Sequence, residues 1–262
     1  DIDLATDRSV FELEGDLTKK QVKKLRKASS LFVRDTLYPQ LVEVVNQTSL
    51  KDMCQIEPEP DGEGDATYPE PRSIFIRYKS VFDDELDYIP PVVKVEAGAR
   101  SLLEPYAETT ITSMVEEALP SISTTISDVV VKTAIAEKTF LEKAFLLHEL
   151  FSVSNKVEAR RRSRHIYDLH MMMKQGIADK AVPNEELWQT IHHHRSTLTS
   201  MSGVDYSMDI RKNIQLIPSS ESLDSWKKDY EDMSLAMIYG EKPVFDELLH
   251  SMNRLELLFR KA

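Results

Sequence analysis

The hydrophobic pattern changes period near residue 134, and that change fixes the class of fold open to the chain. Ahead of it, Ser73-Ile74-Phe75-Ile76-Arg77-Tyr78 and Val92-Val93-Lys94-Val95-Glu96-Ala97 alternate with the two-residue period of strands. Ile74, Ile76 and Tyr78 share one side of the first, and Val93 and Val95 share one side of the second, with Lys94 and Glu96 on the other. Behind it, Phe140, Ala144, Leu147 and Phe151 recur at three- and four-residue intervals, and amphipathic helical stretches continue to the end. The pattern predicts an α+β chain: a sheet-forming domain over residues 1–133, then an α-helical domain over 134–262.

Punctuation refines this outline. Residues 18–46 read as a helix started at Leu17-Thr18, and Pro39 predicts a kink or break near Tyr38. Residues 57–71, rich in Pro, Gly and acids, read as a loop whose acids do not match an EF-hand. Val129-Val130-Val131 reads as a further short strand. Gly176 ends one helix, Pro183-Asn184-Glu185-Glu186 starts another, and two more over 225–239 and 243–259 are split by Gly240. Trp188 and Trp226 are assigned to packing, and Met171-Met172-Met173 to a helix core.

Composition excludes several function classes. A single cysteine, Cys54, rules out an internal disulfide framework and fits a reducing compartment. No apolar run approaches the length of a membrane span, so a cytoplasmic protein is expected. A net charge of -11 argues against indiscriminate nucleic-acid binding. The positive charge is nevertheless clustered, in Lys19, Lys20, Lys23, Lys24, Arg26 and Lys27, and again in Arg160, Arg161, Arg162 and Arg164 beside Asp168.

The chain opens on Asp1-Ile2-Asp3-Leu4, and carboxylates two apart on a strand point to one face. Such a pair suits a divalent metal over a nucleoside triphosphate, with Glu96 on a neighbouring strand as a third acid. Lys143, bordering the apolar stripe, is the candidate for neutralising phosphate charge, and Asp168 for orienting it or Arg164. Each has an ordinary reading: an exposed acidic strand end, a Lys94–Glu96 edge pair, a lysine snorkelling to water, and an Arg164–Asp168 pair four apart on a helix. His192-His193-His194 cannot bind one ion from a helix, because consecutive residues face different ways.

Taken in order, these segments resemble the AbiEii/AbiGii toxin family of nucleotidyltransferases over nearly the whole chain. The resemblance rests on Asp1-Ile2-Asp3-Leu4, Pro91-Val92-Val93-Lys94-Val95-Glu96 with Arg100, Thr139-Phe140-Leu141-Glu142-Lys143, Ser163-Arg164-His165-Ile166-Tyr167-Asp168-Leu169, and Met237-Ile238-Tyr239-Gly240-Glu241-Lys242-Pro243-Val244-Phe245-Asp246-Glu247. It implies a DNA-polymerase-β-like domain with a mixed sheet followed by helices that complete the site, and a toxin of a toxin–antitoxin or phage-defence system. The implied reaction moves a nucleotide from an NTP to an acceptor, tRNA or another RNA, using Mg2+ or Mn2+. Asp1 and Asp3 would hold the metal, Lys143 and Asp168 complete the catalytic set, and Glu96, Arg100 and Arg164 bind substrate. The implied partners are an NTP, an RNA acceptor and a cognate antitoxin, and no membrane. The family also carries a Gly-Gly/Ser motif just before the Asp-x-Asp that cradles the triphosphate through backbone N–H groups. The chain opens after that point, and its true N-terminus is expected further upstream. The alternative is a catalytically degenerate regulatory protein that binds nucleotide or RNA.

Overall fold

The computed structural model describes every residue except 63–66, 82–87, 120, 122–128, 154–156 and 208. The alternating segments become strands of a mixed four-stranded sheet in the order β1-β4-β3-β2. β1 (Ile2–Ala5) lies parallel to β4 (Val92–Gly98), which pairs antiparallel with β3 (Arg72–Tyr78), and β3 pairs antiparallel with β2 (Cys54–Pro58). On one face Ile74, Val95 and Ala97 are buried with Val33, and Phe32, Leu37, Tyr38 and Leu41 pack around them. The other face carries Asp3, Ser73 and Glu96, aligned across three strands.

The helical layer over the apolar face starts where the sequence places it. α1 (Lys19–Phe32) begins at Thr18, which accepts from the Gln21 N–H while the Gln21 side chain caps the Thr18 N–H. The expected break near Tyr38 takes the form of one π-helical turn, Val33–Leu37, before α2 (Tyr38–Asn46). There the Tyr38 N–H bonds to the Val33 carbonyl, and Pro39, which has no N–H to give, follows within the first turn of α2.

Two readings of the first half need correction. Residues 57–71 are not wholly loop, because Glu57 and Pro58 end strand β2. The described acids there are committed to arginines and backbone: Glu57 to Arg77, Asp61 to Arg34 and buried Arg72, and Glu59 to the Ser73 N–H. Glu63 and Asp65 lie outside the described residues. The Val129 strand runs on as β6 (Val129–Ala134), but it stands apart from the main sheet. It pairs antiparallel with β5 (Tyr106–Ile111), whose residues are all exposed, to make a two-stranded ribbon that flanks the short helix α3 (Met114–Ala118).

Six helices share one core: α4 (Ala136–Val153), α5 (Ser163–Lys174), α6 (Ile177–Ala181), α7 (Glu185–His194), α8 (Leu223–Met237) and α9 (Phe245–Phe259). Phe145 stacks on Trp188 with centroids 4.4 Å apart, and Phe151 meets Trp226 edge-on. Met171, Met172 and Met173 sit at the half-buried rim. Gly176 and Gly240 take the left-handed φ of 74° and 85° that turns the chain after α5 and α8. A second π-helical turn, Arg195–Thr199, extends α7. No helix among the described residues is long and apolar enough to cross a membrane.

Candidate active site

Parallel pairing of β1 with β4 places Asp3 directly opposite Glu96, so the two carboxylates share the sheet face away from the helical layer. Asp1 lies two residues earlier, just outside β1 and exposed. Glu96 also pairs with Lys94 at 2.8 Å, so its ordinary edge pairing and its place beside Asp3 coexist.

The facing wall is helical. Lys143 on α4 reaches Asp168 on α5, with Nζ 2.9 Å from Oδ2. Of the two partners the sequence offers Asp168, the ion pair forms with Lys143. The Arg164 Nε is buried without a hydrogen-bond partner among the described residues. Between sheet and helices runs a cleft of about 560 Å³. Asp3 and Glu96 enter it from the sheet, Lys138, Glu142 and Lys143 from α4, His165 from α5 and Arg195 from the turn after α7. Asp1, Arg164 and Asp168 do not line it, and Asp168 touches its lining through the ion pair with Lys143.

Arg100 lines the cleft just beyond β4, held from behind by Glu70. The Glu70 carboxylate, 1% exposed, accepts from the Ala99 N–H at 2.6 Å, the Arg100 N–H at 3.1 Å and the Arg100 guanidinium. This approach needs Gly98: a Cβ there would lie 2.6 Å from Glu70 Oε1 and 3.1 Å from the Pro71 Cα.

Three further groups shape the electrostatics. Lys138, almost fully buried, donates to the Leu102 carbonyl and lies 3.8 Å from Glu142. Burial pushes the Glu142 carboxyl up, against the pull of Lys138, Arg195 and Lys143. Arg195 is clamped by fully buried Glu149, which also accepts from the Tyr206 hydroxyl at 2.7 Å. Burial works against the Arg195 charge, but Glu149 outweighs it and raises the pKa.

Two histidines border the cleft. Burial, reinforced by Lys143 and Arg164, pushes His165 down to about 3, and burial pushes His194 down to about 4. Both are therefore neutral at pH 7, and His165 Nδ1 and His194 Nε2 are buried without hydrogen-bond partners among the described residues. His192 turns instead to the Tyr206 carbonyl and His193 to Asp16, so the three consecutive histidines diverge as their helical spacing requires.

Glu70, Lys138, Glu149, Arg195 and Tyr206 escaped the sequence reading. Glu149 and Arg195 lie 46 residues apart and carry no local signal. Lys138 could have been found from its four-residue spacing to Glu142.

Among the described residues no group of three or more His, Cys, Asp or Glu side chains is arranged to hold a metal alone. A hard cation such as Mg2+ is commonly held by one or two carboxylates plus substrate phosphates and water. Asp3, with Glu96 directly opposite it, fits that simpler requirement, whereas Asp1, exposed just outside β1, does not line the cleft.

Residues 1–251 match the family described as nucleotidyl transferase AbiEii toxin, type IV TA system. No curated protein and no solved structure matches the chain.

Proposed function

The chain belongs to the AbiEii nucleotidyltransferase toxin family of type IV toxin–antitoxin systems, and on that premise we propose that it transfers a nucleotide from an NTP to an RNA hydroxyl, with tRNA the first acceptor to test. The observation that carries this reading is the meeting of both charge signs in one cleft: Asp3 and Glu96 side by side on the sheet with Arg100 beyond the strand end, facing Lys138, Lys143 and Arg195 around Glu142. A triphosphate carrying a divalent cation presents both signs at once and matches such a cleft.

In this reading Asp3 and Glu96, with Asp1 near the strand start, would hold Mg2+ or Mn2+, which would supply charge neutralisation on the phosphates and activation of the attacking hydroxyl. Lys143 meets the phosphate charge as a compact cation, and the 2.9 Å bond from Asp168 fixes its ammonium. Arg100 and Arg195, each clamped by a buried glutamate, offer charges that need little reorganisation. Glu96, beside Asp3 on the cleft face, is in this reading the group that takes the proton of the acceptor hydroxyl. Family membership implies a partner antitoxin.

The test is growth inhibition on expression of the full chain. Asp3→Ala and Lys143→Ala are each expected to abolish inhibition while melting within a few degrees of the parent. A folded Lys143→Ala protein that still arrests growth contradicts the assignment. Retained NTP binding with no transfer product favours the degenerate regulatory alternative.

A further inference from the structure

A second cavity, about 490 Å³, lies beside the start of α5, shares no lining residue with the Asp3–Lys143 cleft, and borders the helical core through Tyr88. Its walls combine Tyr88, Arg160 and Arg161 with Leu235 and Ala236 of α8. Three features distinguish it from an ordinary surface hollow. The Tyr88 hydroxyl is buried with no hydrogen-bond partner among the described residues. The Arg161 guanidinium lies over the Tyr88 ring, 5.6 Å from its centroid. Leu235 is 78% exposed at the rim.

The two arginines share the cavity with two acids, Asp229 and Asp232, and neither guanidinium is in an ion pair with them among the described residues. Asp229 accepts from the Arg161 N–H at 2.7 Å, and from the Ser163 N–H at 3.0 Å and the Ser163 hydroxyl. The first of these bonds holds Arg161 in a left-handed conformation, φ 59°, unusual for a residue with a side chain. Asp232, also lining the cavity, is exposed. Burial, and then the Asp229 charge, pushes the Tyr88 phenol up to about 12.

We propose that this cavity binds an unpaired RNA nucleotide next to the acceptor end, its base against Tyr88 and Leu235 and its phosphate on Arg160 and Arg161. A bare anion would leave the aromatic and aliphatic walls unused, and an apolar ligand would leave the two guanidiniums unused. A nucleotide uses both, through base–aromatic stacking and phosphate contact. The exposed Asp232 carboxylate adds an acceptor for an exocyclic amine or a ribose hydroxyl. The position suits an acceptor path, because α5 begins two residues after Arg161, at Ser163, and its first two turns carry His165 of the cleft and Asp168, the partner of Lys143. The proposal rests on the RNA-acceptor reading above.

The test is fluorescence anisotropy of a labelled single-stranded oligoribonucleotide with the full chain, and NTP affinity measured in parallel. Arg160→Glu alters an exposed side chain, and Tyr88→Phe removes only the unpartnered hydroxyl, so both are expected to fold. Tyr88→Ala removes the stacking surface. Arg160→Glu and Tyr88→Ala are expected to weaken RNA binding at least about tenfold with NTP affinity within about twofold of the parent, and Tyr88→Phe to have a smaller effect. RNA binding by the parent that is unchanged in Arg160→Glu and Tyr88→Ala overturns this site and leaves the transferase reading standing. Equal loss of RNA and NTP affinity assigns the cavity to the triphosphate and also overturns it. A parent chain that binds no RNA refutes both.

Discussion

Glu149→Ala tests the buried clamp on which the helical wall of the cleft depends. Glu149 is fully buried and receives the Arg195 guanidinium and the Tyr206 hydroxyl. Truncation leaves the Arg195 charge, on a side chain only 14% exposed, without its counter-ion. Breaking a buried pair from one side costs about 3–5 kcal/mol. Arg195 lines the cleft and can recover some hydration there, so we take the lower end, about 3 kcal/mol. At about 2–4 °C per kcal/mol for a chain of this size, melting should fall by roughly 6–12 °C. Glu149→Gln keeps an acceptor for Tyr206 and should cost about half as much. The double variant Glu149→Leu/Arg195→Met removes both charges and should recover most of the loss, because an apolar replacement of a buried pair is often neutral. Thermal denaturation by circular dichroism reads all three. A Glu149→Ala protein melting within about 2 °C of the parent would refute the reasoning, since the clamp would then carry no structural weight.

Three other outcomes follow from particular contacts. Gly98→Ala places a Cβ 2.6 Å from Glu70 Oε1 and should destabilise by about 1–3 kcal/mol in urea unfolding while loosening Arg100; a neutral result removes the close-approach argument. Asp168→Asn should abolish transfer yet change stability by no more than about 1 kcal/mol, because the Lys143–Asp168 pair is partly solvated; a large loss of stability would make the pair structural. Folded His165 and His194 titrate at about 3 and about 4, whereas unfolded histidine titrates near 6.5. The unfolded chain therefore binds more protons below pH 6.5, so their contribution is complete above that value and is lost as pH falls toward the folded values. Lowering pH from 7 to 5 should cost about 2 kcal/mol per histidine, and His165→Gln should flatten the urea-midpoint profile over that range; an unchanged profile contradicts the burial argument.

The sequence announced what depends on local pattern. Thr18 and Gln21 form a cap because three-residue spacing brings their groups together. Alternation in β4 puts Val95 into the sheet core and leaves Glu96 on the face it shares with Asp3. Strand register cannot be read from alternation alone, and it is the register that sets those two carboxylates side by side. Strand β5 escaped because Tyr-Ala-Glu-Thr-Thr-Ile lies on a solvated ribbon with no covered face to impose alternation. Glu70 was hidden in a stretch whose Pro, Gly and acids signal loop, although its carboxylate is among the most buried in the chain. Its partners, Ala99 and Arg100, lie about 30 residues away, beyond any local rule.

The most direct test of the central claim is incubation of the full chain with Mg2+, total cellular RNA and each α-labelled NTP in turn, followed by denaturing electrophoresis. The account predicts label in a small RNA from one or more of the four nucleotides, absent with Asp3→Ala and with Lys143→Ala. Label transferred undiminished by Lys143→Ala, or no label in RNA from any nucleotide, would contradict it.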